Sequence, residues 1–207
     1  MPSSNWVSLE GKILELSKAL INDDADLASD EDSIRAVAFL ILSSGAIEQY
    51  IEDRCRAVAR SGIGRLKRSL PSASGTSLVT WGASKNGVRQ VPIHPEDVAE
   101  YYDQYGVFLD SYLKSVNDNH GINAKDFYRL VYPIGIRTDD VPAGLPDKLQ
   151  SLSQERDPAV HTTPRTRRFQ HPPDVKSRIL EIVELLGDLD DVLAVAETNF
   201  PLRSATP

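Results

Sequence analysis

Between residues 174 and 198, apolar side chains recur at alternating steps of four and three: Val175, Ile179, Ile182, Leu186, Leu189, Leu193 and Ala196. That rhythm keeps one face of an α-helix apolar for about six turns. A strand, whose faces alternate with every residue, cannot use it. A seam this long and one-sided must be buried against other helices, so this segment fixes the fold class as helix on helix.

The rest of the chain agrees with that demand. Residues 32–61 carry a second long stripe, Ile34, Val37, Ile41, Ser44, Glu48, Ile51, Cys55 and Val58. Ser29 with Asp32 three positions later resembles a capping box at its start. Residues 5–21 predict a first helix through Val7, Leu9, Ile13, Leu14, Leu16 and Leu20. A further helix is expected from Pro95 to Asn117, with Tyr101, Tyr102, Tyr105, Phe108 and Tyr112 on a broad aromatic face. Tyrosines at helical spacing are core residues first and base-stacking platforms second. Short helices are expected over 123–131 and 146–156. Pro158, which lacks an amide donor, predicts a kink or junction at 157–158, with Asp157 capping a new turn.

Residues 62–94 form a long connection. Within it Leu78–Trp81 and Val88–Val91 flank Asn86-Gly87, a pattern that fits a small hairpin. The expectation is therefore one all-α domain over residues 1–207, a bundle of five or six helices with a long decorated connection at about 62–94 and a frayed tail from about 200. No internal repeat, phosphate-cradling glycine loop or strand–helix alternation is present.

Composition narrows the function classes. No apolar run approaches the roughly 20 residues that span a bilayer, which argues against a membrane partner. The start, Met1 to Trp6, lacks the pattern of a signal peptide. With Cys55 as the single cysteine, an internal disulfide is impossible and a cysteine-based zinc site is not expected. A reducing, cytoplasmic setting follows as the simplest reading. The net charge of −7 argues against a protein that coats nucleic acid without specificity. Charge is uneven, however: from Arg54 to Arg68 there are six basic residues and no acidic one. RNA binding by such a chain depends on a local basic cleft.

The chemistry-bearing residues are few. No Gly-x-Ser-x-Gly elbow is present, and Cys55 has no nearby histidine in sequence, so nucleophilic catalysis is unsupported. The histidines are scattered, so no metal or other cofactor is expected. What remains is an arginine with a histidine: Arg156 and His161, five positions apart, a pairing suited to chemistry on a phosphate. The same spacing nearly recurs at Arg165 and His171, in a proline-flanked loop that makes a poor platform for a site. Arg165, Arg167 and Arg168 stay as phosphate-contact candidates, or as a solvated basic loop; Arg54 is a further RNA-binding candidate. Glu48 stands on the inward stripe, where a carboxylate is costly unless partnered. Either Ile47 does the packing and Glu48 marks the stripe's edge, or Glu48 meets a cation from elsewhere in the chain.

Two stretches carry a family likeness. Phe39 to Glu52 contains the sequence Ser-Gly-Ala-Ile-Glu-Gln-Tyr-Ile, and Glu155 to Thr162 reads Glu-Arg-Asp-Pro-Ala-Val-His-Thr. With a long amphipathic helix closing the chain, these make it resemble the HEPN-domain proteins, specifically the RiboL-PSP-HEPN group, over most of residues 30–198. The resemblance implies a metal-independent endoribonuclease, often a toxin or defence effector, acting as a homodimer. It carries Arg156 and His161 over as catalytic, Asp157 as the polar position after the arginine, and Glu48 as the helix glutamate. Glu48 needs a cation, and Arg156 is a candidate for it.

The expected mechanism is attack of an RNA 2′-hydroxyl on the adjacent phosphate. His161 would act as general base or acid and Arg156 would stabilise the developing charge. Products would be a 2′,3′-cyclic phosphate and a 5′-hydroxyl. A symmetric dimer with a composite site would supply both proton-transfer roles, and an antitoxin or regulatory protein would control it. The rival readings are a non-catalytic helical binding module or partner-controlled regulator, and a nucleotide-ligand sensor.

Overall fold

The computed structural model describes residues 2–22, 29–85, 99–161 and 171–198, without the side chains of 99–100 and 157–161. The described residues are all-helical, with no strand and seven α-helices: α1 (Ser4–Leu20), α2 (Asp30–Leu66), α3 (Ala73–Lys85), α4 (Tyr105–Asn117), α5 (Ala124–Val131), α6 (Leu145–His161) and α7 (Pro172–Thr198). Single 3-10 segments cover Ala99–Gln104, Tyr132–Ile134 and Thr138–Asp140. One window of α2 reaches a mean hydropathy of 1.3, that of a membrane span, and 56% of it is buried inside protein, as in a core helix.

The helix beyond the expected five or six is α3, and it corrects the hairpin expectation. Leu78 to Trp81, read as a strand, lies within an α-helix. Asn86-Gly87 and the second arm, Val88–Val91, lie outside the described residues. Ser72 caps the helix, its Oγ accepting from the Gly75 amide at 3.2 Å. Gly75, Leu78, Val79, Gly82 and Ala83 are buried at helical steps. Burial of that face outweighs the weak strand preference of Val79 and Thr80.

By compactness the chain divides into two units, and α2, α5 and α7 contribute a segment to each. The first unit comprises residues 1–51, 121–127 and 142–190. It begins at a cap. Ser3 Oγ accepts from the Trp6 amide at 3.2 Å, while the Ser3 amide and hydroxyl donate to the Asp190 carboxylate at 2.6 and 2.8 Å. A carboxylate only 2% exposed is tolerable there because donors surround it. From α1 the core takes Leu9 and Ile13, while Val7 and Leu14, expected on the same stripe, are exposed. The expected box opens α2: the Asp32 amide donates to Ser29 Oγ at 3.2 Å and the Ser29 amide to Asp32 Oδ2 at 3.0 Å. The Ser29 hydroxyl, which donates to Asp32 Oδ2 at 2.7 Å, and then the Ser29 amide hold the Asp32 carboxyl below its usual range. Val37, Phe39, Leu40, Ile47 and Ile51 are buried, but Ile34, expected on the stripe, is 54% exposed.

Also in this unit, α6 corrects the expected junction at 157–158: the backbone stays α-helical through Pro158 to His161, with no new turn begun at Asp157. The proline has no amide to donate to the Gln154 carbonyl, so the helix continues without that bond. The helix ahead of it is anchored by buried Leu145, Leu149 and Leu152. Every residue of the α7 seam is buried, across both units.

The second unit comprises residues 52–120, 128–141 and 191–207. Here α2 and α3 meet at glycines. A Cβ on Gly62 would lie 2.7 Å from the Gly75 nitrogen, and one on Gly75 would lie 2.6 Å from the Gly62 carbonyl oxygen. Gly82 likewise makes room for Phe108 of α4. Trp81 meets Tyr112 edge-on, with ring centroids 5.9 Å apart. Tyr105, Phe108 and Tyr112 are core residues, whereas Tyr102 is exposed. The Tyr112 hydroxyl donates to the Leu130 carbonyl at 2.7 Å. Beside it, burial pushes the Cys55 thiol up to about 12, so the single cysteine is inert packing.

A Schellman turn ends α2. The Leu70 amide donates to the Arg65 carbonyl at 3.0 Å and the Ser69 amide to the Leu66 carbonyl at 2.9 Å. Ser69 sits in the left-handed region at φ 59°, where glycine is normally found. Ser69→Gly is therefore expected to stabilise the protein by about 1 kcal/mol. The check is a higher urea midpoint at unchanged m-value.

Candidate functional site

The first unit brings together two residues that stand 108 positions apart in the chain. Arg156 Nη1, on α6, donates to Glu48 Oε2, on α2, at 2.8 Å. Ile47 is fully buried and does the packing, so Glu48 is free to point a carboxylate at its partner. Both side chains are about one-fifth exposed, 22% for Arg156 and 21% for Glu48. At that depth a charge-assisted bond is stronger than a surface pair and also demands that neither partner be lost. The cation that Glu48 was expected to need is Arg156.

His161 closes the same α-helix five residues further on, about 7.5 Å along the axis. Arginine and histidine thus belong to one continuous helix. The backbone at Asp157 is helical as well; the side chains of Asp157 and His161 lie outside the described residues, as do Arg165, Arg167, Arg168 and His94. His120 is exposed. His171 precedes α7, its Nδ1 lying 3.4 Å from Asp174 Oδ1.

Arg54 is not placed as an RNA contact needs. It is 4% exposed, in the second unit, and donates through Nη2 to Glu197 Oε2 at 3.0 Å. A buried, engaged guanidinium has nothing to offer a phosphate. Its position was readable: Arg54 stands three residues after Ile51 and four before Val58, on the inward face of α2.

Sequence reasoning missed a cleft of about 210 Å³ in the first unit. Its floor is Leu40, Leu152, Ile179 and Ile182, and its rim holds Lys148, Ser151, Glu155 and Arg178. Arg178 Nη2 donates to Glu155 Oε2 at 2.9 Å, and Lys148 Nζ to Glu181 Oε2 at 2.5 Å. The Lys148 ammonium holds the Glu181 carboxyl below its usual range. The spacing of these residues on α6 and α7 marks them as outer flanks, but nothing in one sequence says which two helices lie side by side. Among the described residues no group of His, Cys, Asp and Glu comes together that could hold a metal ion.

No protein-family model matches the chain, and no curated protein or solved structure matches it. What the site can do therefore rests on its own residues.

Proposed function

We propose that the chain is a metal-independent endoribonuclease of the HEPN kind, a toxin or defence effector that works as a homodimer in the cytoplasm. The observation that carries this reading is the Glu48–Arg156 ion pair. The pair satisfies an inward carboxylate and orients a guanidinium on the helix that ends at His161. In the proposed reaction, the RNA 2′-oxygen forms a bond to the adjacent phosphorus as the bond from phosphorus to the 5′-oxygen breaks. His161 of one protomer takes the 2′-hydroxyl proton, and the His161 of the second copy protonates the departing 5′-oxygen. Arg156 neutralises charge gathering on the phosphate oxygens. An antitoxin or regulator would act by covering this site.

One observation favours a second reading. The Arg156 guanidinium is already engaged by Glu48, as in a structural ion pair of a non-catalytic helical binding module. The deciding experiment is incubation of the purified protein with mixed RNA in excess chelator, followed by end-group analysis. Fragments with 2′,3′-cyclic phosphate and 5′-hydroxyl ends are expected. Intact RNA would leave the binding module as the better account, and cleavage only with an added divalent metal would overturn the metal-independent mechanism.

A further inference from the structure

Six basic residues and no acidic one run from Arg54 to Arg68, in a chain of net charge −7. The second unit sorts them into two groups. Arg54 is buried on Glu197. Arg56 is held by Asp53 and Glu52 at 2.8 and 2.9 Å, and Arg65 Nη2 donates to the Thr198 carbonyl at 3.0 Å. Those three are structural. The others, Arg60, Lys67 and Arg68, are exposed. Neither Arg60 nor Lys67 is ion-paired among the described residues, and Arg68 spends only its Nε, on the Gly64 carbonyl at 3.2 Å.

Helical register puts Arg60, Gly64 and the Lys67–Arg68 pair on successive turns of one face, about 6 Å apart along the axis. A Cβ on Gly64 would meet nothing within 4 Å, so the surface between the cations is open down to the backbone. The helix dipole accounts for cations in and just beyond the last turn, Arg65, Lys67 and Arg68. It does not account for Arg60, more than a turn further back, nor for the absence of any carboxylate along the row.

We infer that this end of α2 is a track for the backbone of single-stranded RNA. The inference rests on the proposed function for its substrate class and adds where that substrate is held. A row of cations that no carboxylate engages among the described residues, with open space over Gly64 between them, matches a repeating anion, and phosphate contacts of this kind position a strand without reading its bases.

The test is anisotropy titration of a labelled 2′-O-methyl oligouridine of about twelve nucleotides. This probe lacks the attacking hydroxyl and so cannot be consumed. Wild type and the triple variant Arg60→Gln, Lys67→Gln, Arg68→Gln are compared over a KCl series, with circular dichroism as the check on folding. Each phosphate contact to a single strand adds about 0.7 to the slope of log K against log salt. The triple variant is expected to bind more weakly, with a slope shallower by about 2. An unchanged slope overturns the track, and if wild type still cleaves RNA the nuclease reading survives it. A shallower slope in a protein that cleaves no RNA supports the track and removes the nuclease. Oligoglutamate that binds more tightly than RNA, through the same three residues, would overturn the track in favour of an acidic protein partner.

Discussion

In RNA cleavage assays, His161→Ala is expected to lower the rate by about 10²–10⁴-fold, and Arg156→Ala by about 10²–10³-fold. The two losses have different side effects, and the difference separates chemistry from structure. Among the described residues, Glu48 has Arg156 as its partner and no other. Arg156→Ala therefore strands a carboxylate about four-fifths buried. Breaking a fully buried pair costs about 3–5 kcal/mol; at this depth solvent screening reduces the expected loss to about 1–3 kcal/mol. Adding Glu48→Gln removes the stranded charge and is expected to recover part of that stability, with a coupling energy readable from the double-mutant cycle. Cleavage is expected to stay lost in the double variant, because the guanidinium that meets the phosphate is still missing. Recovery of cleavage along with stability would show that Arg156 had been acting only as a brace.

That experiment turns on a residue whose need is legible in the sequence. Glu48 stands where the stripe of α2 asks for an apolar side chain, and an inward carboxylate predicts a cation. The α7 seam was legible for a similar reason, since seven residues at alternating steps leave one helical face to bury. Ile34 follows the same spacing on α2, yet it is 54% exposed. Periodicity says which residues share a face, not how far along the helix a neighbour extends. The α3 error has the same root. Val79 and Thr80 suit a strand locally, and the buried glycines that make α3 a packing helix carry no signal until its neighbours are known. The ion pairs Lys148–Glu181 and Arg178–Glu155 beside the cleft were likewise invisible, because the adjacency of α6 and α7 is a tertiary fact.

The glycines of α2 turn that distinction into a measurement of opposite signs two residues apart. Gly64→Ala places a methyl group in open space. With a Cβ free of contacts, helix propensity decides, and the variant is expected to be more stable by about 0.5–1 kcal/mol. Gly62→Ala gains the same propensity but puts its Cβ 2.6 Å from Ser74 Oγ, 2.7 Å from the Gly75 nitrogen and 3.0 Å from the Gly75 Cα. Two of those atoms are backbone and cannot swing aside, so α2 and α3 must separate, and the reciprocal contact at Gly75 opens with them. Such overpacking costs about 1–3 kcal/mol or more, since no side-chain rotation relieves it. The net expectation is a loss of about 1–2 kcal/mol, the overpacking less the gain in propensity. In a chain of this length each kcal/mol moves the melting temperature by about 2–4 °C. Gly64→Ala should therefore melt above wild type and Gly62→Ala below it by several degrees. If both melt higher, helix propensity governs this stretch and the close crossing of α2 and α3 at Gly62 and Gly75 is wrong.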